Sequence, residues 1–154
     1  MKEKIYIGID PGKNTGIGVW SSTKKKILGL HCLDFWDAHF FIINAINTYL
    51  YYEDKELMIV IEDPNLNKPV FPSKIRYIHE LRQWMKVAQN IGSNKRDAQL
   101  WIDYCKYMKA PFATVRPSKK TYTKLTSDQF NKMTGWKGRS NEHSRDAIML
   151  VFGR

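Results

Sequence analysis

Cysteine is scarce in this 154-residue chain: Cys32 and Cys105 stand far apart, with no histidine or cysteine cluster at zinc-ligand spacing. That pattern excludes a disulfide-stapled scaffold and a zinc-finger site, and it fits buried thiols in a reducing compartment. Long hydrophobic runs are missing as well. No apolar stretch approaches the roughly 18 residues that a membrane span needs, and the opening "MKEKIYIG" does not have the pattern of a secretory leader. The expected partners therefore include no membrane, and the expected location is the cytoplasm of the producing or host cell. No internal repeat and no low-complexity tract interrupts the chain, which excludes solenoids and disordered tails. A length of 154 residues suits a single domain over 1–154, large enough to bury roughly 70% of its unfolded surface.

Acidic residues are sparse in one half only. The chain has 25 basic and 15 acidic side chains, a net charge of +10. Residues 1–67 hold 7 basic and 9 acidic side chains, whereas residues 68–132 hold 14 and 4. Such a concentrated excess predicts a positive face, suited to a polyanion because each neutralised phosphate releases counterions. A solvated lysine-rich surface accounts for the same composition.

The hydrophobic pattern predicts an α/β fold. "KIYIGID" alternates Ile5, Ile7 and Ile9 with Tyr6 and Gly8, and "GIGVWSS" and "KILGLHCLD" follow across short turns, giving three antiparallel strands. Asp37 is placed to start a helix over "AHFFIINAINTYLYY". "LMIVIED" reads as a strand buried on both faces, reached by a parallel crossover. The proline-rich "PNLNKPVFPS" is a loop. Two helices are expected next, "KIRYIHELRQWMKVAQNI" and, after a Gly-Ser break, "GSNKRDAQLWIDYCKYMK". "APFATVRP" holds a fifth strand, and "TSDQFNKMTGWKGR" is a short helix or turn. "SNEHSRDAIMLVFGR" is a final helix capped by Ser140 or Asn141. The expected architecture is a five-stranded mixed sheet, three antiparallel strands and then two parallel ones, with helices on both faces.

Two acids end predicted strands. Asp10 closes "IYIGID" and Glu62 closes "MIVIE", so if those strands are parallel neighbours both carboxylates emerge at the sheet edge where open α/β sheets bind ligands. Taken singly, each reads first as a turn residue or an acid that has reached solvent, a reading that Asp63-Pro64 supports for Glu62. In "NEHSRDAIML", His143 and Asp146 share a helical face that continues into Ala147 and Leu150. Such a pair also serves to start a helix. All four together make an oxygen-rich set that suits Mg²⁺ or Mn²⁺. Two cations about 4 Å apart can run phosphodiester hydrolysis, one activating water and the other stabilising the leaving oxygen. Gly12, Thr15 and Gly16 are read as shaping the turn that keeps Asp10 open to substrate.

The motifs have a family likeness. "GIDPGKNTG" resembles the first motif of the RuvC-type Holliday-junction resolvases, in the ribonuclease H-like superfamily, with Asp10 matching its catalytic acid. "IVIE" resembles the second motif through Glu62, and "HSRDA" the C-terminal one through His143 and Asp146. "VRPSKKTYTK" resembles the stretch in which a proline precedes DNA-approaching lysines, here Lys119 or Lys120. The resemblance runs in order over nearly the whole chain. It implies a ribonuclease H-like sheet, a homodimer, two Mg²⁺ (Mn²⁺ possible) per site, and symmetrical cutting of four-way DNA junctions. The catalytic and metal-holding residues it implies are Asp10, Glu62, His143 and Asp146.

Candidate nucleic-acid contacts are Lys13, Phe71, Lys74, Arg76, Lys119, Lys120 and Arg139. Residues 74–108 correspond to the region where the family dimerises and meets DNA. Phe71 sits where family members place an aromatic that disrupts base stacking, or else it packs. Departures are a proline-rich loop, a compact length such as phage-encoded members have, and His143 in place of the commoner acid, which shifts the expected metal preference towards Mn²⁺. Trp84 and Trp101 fall in helical patterns and are expected to pack, whereas Trp136 lies in a loop close to His143. Three alternatives remain: a ribonuclease H-like nuclease acting on flaps, other branched DNA or RNA; a binding module that keeps the fold without catalysis; and an actin-like or sugar-kinase ATPase, whose two-domain fold 154 residues cannot supply.

Overall fold

Isoleucine at every second position drives the first strand. β1 (Lys4–Asp10) puts Ile5, Ile7 and Ile9, all fully buried, on one side of the sheet. The computed structural model describes residues 2–52, 55–69, 75–117 and 124–154. β2 (Asn14–Ser21) and β3 (Lys26–Asp34) continue from β1 as an antiparallel meander. α1 (Phe35–Ile46), prolonged by a π-helical turn over Asn47–Tyr52, carries the chain back so that β4 (Glu56–Glu62) pairs with β1 in parallel. The long helix α2 (Ile78–Tyr107) then leads to β5 (Phe112–Val115), which joins β4 in parallel. α3 (Ser127–Thr134) and α4 (Glu142–Met149) close the chain. The sheet order is β3-β2-β1-β4-β5, the expected α/β arrangement of three antiparallel and two parallel strands.

Each face of the sheet has its own core. On one, Ile5, Ile7, Ile9, Ile17, Ile59 and Ile61 pack with Ile42 and Ile46 of α1 and with Trp101 and Cys105 of α2. On the other, Trp20 and Val60 meet Phe130 of α3, Ile148 of α4 and Val151. β4 contributes to both, as expected of a continuous apolar run. Trp101 is fully buried, in keeping with the packing role read for it. No helix among the described residues is long and apolar enough to cross a membrane.

Three local expectations need correction. Asp34, not Asp37, caps α1: its Oδ1 accepts from the N–H groups of Trp36 at 3.0 Å and Asp37 at 2.9 Å. Both acids suit an N-terminus, and the earlier one stands where β3 ends, which leaves Asp37 in the first turn. The Gly92-Ser93 pair does not break the second helical region, and α2 runs through it as one 30-residue helix. An exposed glycine costs a helix only about 1 kcal/mol, too little to stop one with good formers on either side. Of the two forms expected for "TSDQFNKMTG", the helix is the one adopted, capped by Thr126 and ended by Gly135 in left-handed backbone (φ 72°). The element order is therefore β-β-β-α-β-α-β-α-α, with one helix after β4 and two after β5.

Gly16 is the third. It lies inside β2, opposite Asp10, rather than in the turn. With Gly8 and Gly18 it forms a side-chain-free track on which α4 rests: a Cβ on Gly8 would run into the Ala147 carbonyl, one on Gly16 into that of His143, and one on Gly18 into Ile148. Thr15 keeps its assigned role, since its buried hydroxyl donates to the Gly12 carbonyl at 3.2 Å and so ties the turn.

Candidate active site at the strand ends

Parallel pairing brings two acids together. Ile9 and Ile61 are register partners across β1 and β4, so Asp10 and Glu62 leave the same edge of the sheet side by side. The glycine track supplies the third wall, because α4 lies close enough to present its first turn to that edge. Asn141 caps α4 by accepting from the Ser144 N–H at 2.8 Å, while the Ser144 hydroxyl accepts from the Asn141 N–H at 3.1 Å. Of the two caps expected, Asn141 therefore holds the position, and Ser140 instead accepts from Arg145 through its carbonyl and hydroxyl, both at 3.2 Å. Arg145 also donates to the Leu125 carbonyl at 2.9 Å, which pins the approach to α4.

The four candidate residues converge. His143 Nδ1 lies 3.0 Å from Asp10 Oδ2, with side-chain exposures of 49% and 14%. The Asp10 and Glu62 carboxyl groups lie close enough for each to act on the other. Burial, reinforced by the charges of Asp10 and Asp146, pushes Glu62 up to about 7. Asp146 is also pushed up to about 7, by burial first and then by Asp10 and Glu142. Asp10 is raised by burial, with His143 pulling the other way. Three carboxyl groups that disfavour one another's charge form a site that gains by receiving positive charge.

The donor chemistry fits a hard divalent cation, since three carboxylates supply oxygens and an imidazole completes the set. Among the described residues, however, no three His, Cys, Asp or Glu side chains are splayed as a ready-made ligand set. Asp10 is instead paired with His143, while all four donors share one edge.

Other candidates fall at varying distances from this edge. Lys13 is exposed in the β1–β2 turn, three residues after Asp10, and Arg139 is exposed just before α4. Arg76 is exposed ahead of α2, its backbone N–H donating to Glu80 at 2.7 Å. Phe71, Lys74, Lys119 and Lys120 lie outside the described residues. Trp136 is not a free aromatic: half-buried, it packs with the Phe130 core, and its indole N–H donates to the Arg139 carbonyl at 3.3 Å. Trp84 is half-buried in the mostly exposed first half of α2.

Sequence reasoning missed two acids. Glu142 acts on both Asp10 and Asp146 through its charge, and its i, i+4 spacing to Asp146 was the available signal. Asp63 is buried and accepts from the Asn65 backbone N–H at 2.9 Å and side-chain amide at 2.8 Å. Asn65 in turn donates to the Lys95 carbonyl of α2 at 3.2 Å, so the segment after Glu62 is fastened rather than loose. No family model matches the sequence, and no curated protein matches it.

Proposed function

We propose that the chain is a metal-dependent, structure-selective DNA endonuclease of ribonuclease H-like architecture and RuvC type, which resolves four-way junctions by paired phosphodiester hydrolysis. One observation carries this reading: Asp10, Glu62, His143 and Asp146, from three separate elements, meet at the carboxyl edge of two adjacent parallel strands. The basic excess of residues 68–132 supports a polyanionic substrate.

Asp10, Glu62, His143 and Asp146 are the residues that would hold Mg²⁺ or Mn²⁺, two per site. Such cations, when bound, supply an activated water and charge stabilisation at the leaving oxygen. The protein contributes the placement. β1 and β4 fix two acids in register, the glycine track lets α4 bring His143 and Asp146 to them, and partial burial makes their charge effective. Lys13 and Arg139 flank the edge and are placed to hold the phosphate backbone.

Symmetrical cutting needs two sites. The first half of α2 exposes Ile78, Leu81 and Met85 at heptad spacing, an apolar stripe suited to pairing with a second copy. In a sedimentation experiment, Leu81→Glu with Met85→Glu is expected to give a monomer that nicks junctions without pairing the nicks.

The primary test is cleavage of a labelled four-way junction with Mg²⁺ or Mn²⁺, beside linear duplex, flap and RNA controls. Paired symmetrical nicks that vanish in Asp10→Asn are the expected result. Flap or RNA cutting would move the activity to another nuclease class on the same site. No metal-dependent cutting of any substrate would leave a binding module and refute catalysis.

A further inference from the structure

β3 is an edge strand with no strand on its outer side among the described residues, and its sequence does nothing to repel one. Residues 27–33, "ILGLHCL", contain no charge and no proline, whereas sheet edges are usually blunted with one or the other. A register shift opposite Val19 and Trp20 interrupts the start of the strand, which leaves residues 29–34 as a regular stretch with one free side.

Cavities flank this edge on both faces of the sheet. On the α1 side a groove of about 480 Å³ is lined by His31, Leu33, Asp37, Phe41, Asn44 and Tyr49. Its floor is firm, since the His31 and Phe41 rings pack at 4.5 Å. On the α4 side a smaller cavity of about 270 Å³ is lined by Leu30, Cys32, Arg139 and Asn141. His31 and Leu33 thus face one cavity while Leu30 and Cys32 face the other, the alternation of a strand. An extended segment laid against β3 would send its own side chains alternately into the same two spaces.

Charge selects the occupant. In a chain with net charge +10, residues 27–52 contain no lysine or arginine but include Asp34 and Asp37. Asp37 lines the groove and makes no ion pair among the described residues. Lys55, at the far end, is held by Glu3 at 3.0 Å and lies over the Tyr49 ring. Nucleic acid is disfavoured here, and a cationic peptide is favoured.

We propose that β3 and α1 form a docking groove for an extended segment of a partner protein, which adds as a sixth strand to β3. The segment places a large apolar side chain in the α1-side groove, a lysine or arginine beside Asp37, and a small uncharged residue on the Arg139 side. This is strand addition to a sheet edge beside a helix. Cys32, Gly16 and Asp10 lie in one row across the sheet, so the added strand runs roughly 15 Å from Asp10, near the catalytic edge without covering it.

The test pans a random decapeptide display library on the full chain at low salt, with Asn44→Trp as counter-selection. Both Asn44 and Asp37 are exposed, and circular dichroism checks that the variants stay folded. The expected result is a consensus of one large apolar residue with lysine or arginine nearby. The selected peptide, made synthetically, should slow hydrogen exchange at the amides of residues 29–34. It should bind roughly tenfold more weakly to Asn44→Trp and about fivefold more weakly to Asp37→Lys, and lose binding when its alternate amides are N-methylated. No enriched sequence, an acidic consensus, or binding indifferent to N-methylation would overturn the proposal. Concentration-dependent self-association that protects the same amides without peptide would also overturn it, by making a second copy the occupant.

Discussion

The two ends of β1 treat an acid in opposite ways. At the amino end, Glu3 accepts from Lys55 at 3.0 Å, Ser21 at 2.8 Å and Lys24 at 3.1 Å, and these partners hold its carboxyl down to about 2. At the carboxyl end, Asp10 meets one exposed histidine and two further acids, and Glu62 and Asp146 are pushed up to about 7. An acid kept for structure is surrounded by cations, as at the first edge. At the carboxyl edge His143 and Arg145 only partly offset the crowding, and burial with the charge of Asp10 still raises Asp146. The contrast makes the carboxyl edge the stronger candidate for a functional site, independently of any likeness in sequence.

The contrast can be broken most strongly through the glycine track. Gly8→Ala drives a Cβ into the Ala147 carbonyl, and such overpacking is expected to cost about 2 kcal/mol in urea unfolding. It should weaken Mg²⁺ or Mn²⁺ uptake too, measured by calorimetry, because α4 carries His143 and Asp146 away from Asp10. A matched loss of stability with unchanged cation uptake would remove α4 from the site.

A change of pH acts on the same edge with a definite sign. Glu62 rises from an ordinary 4.5, and Asp146 from 3.8, to about 7 in the folded chain. The folded state therefore holds protons that the unfolded state has already lost between those values. Their stabilisation is complete below about pH 4 and disappears as pH climbs through about 7. Urea midpoints without divalent cation should fall from pH 5 to pH 8, and millimolar Mg²⁺ should flatten that fall. A rising midpoint would contradict the crowded-acid description.

At the amino edge, Glu3→Gln should lower stability modestly, and the loss should shrink in high salt because the pairs with Lys24 and Lys55 are screened. The smallest effect on stability is expected from Asp10→Asn, which relieves repulsion with Glu62 and Asp146 at the cost of the His143 pair. Its urea midpoint should stay within about 0.5 kcal/mol of wild type, or rise, even as cleavage is lost. A large destabilisation would make Asp10 a structural acid like Glu3.

Much of this was legible in the chain. The isoleucine alternation of β1, the two-faced apolar run of β4 and the i, i+3 spacing of His143 and Asp146 are local patterns, and each led to the element and face observed. Boundaries were harder, since Asp34 and Asp37 are equally good caps and the glycine at 92 carries too small a penalty to end a helix. Glu142 and Asp63 were overlooked because an exposed helix-start glutamate and an Asp-Pro turn look alike with or without a role.

By itself, the sequence determined the strands and helices, the uneven charge and the identity of four candidate ligands, because periodicity and composition act over a few residues. Tertiary structure alone decided that Gly8, Gly16 and Gly18 serve as a bed for α4, that three carboxyl groups crowd into one another's field, and that β3, between two cavities, has no strand on its outer side among the described residues. Those outcomes depend on which surfaces meet across more than a hundred residues of chain, and no local pattern encodes such a distance.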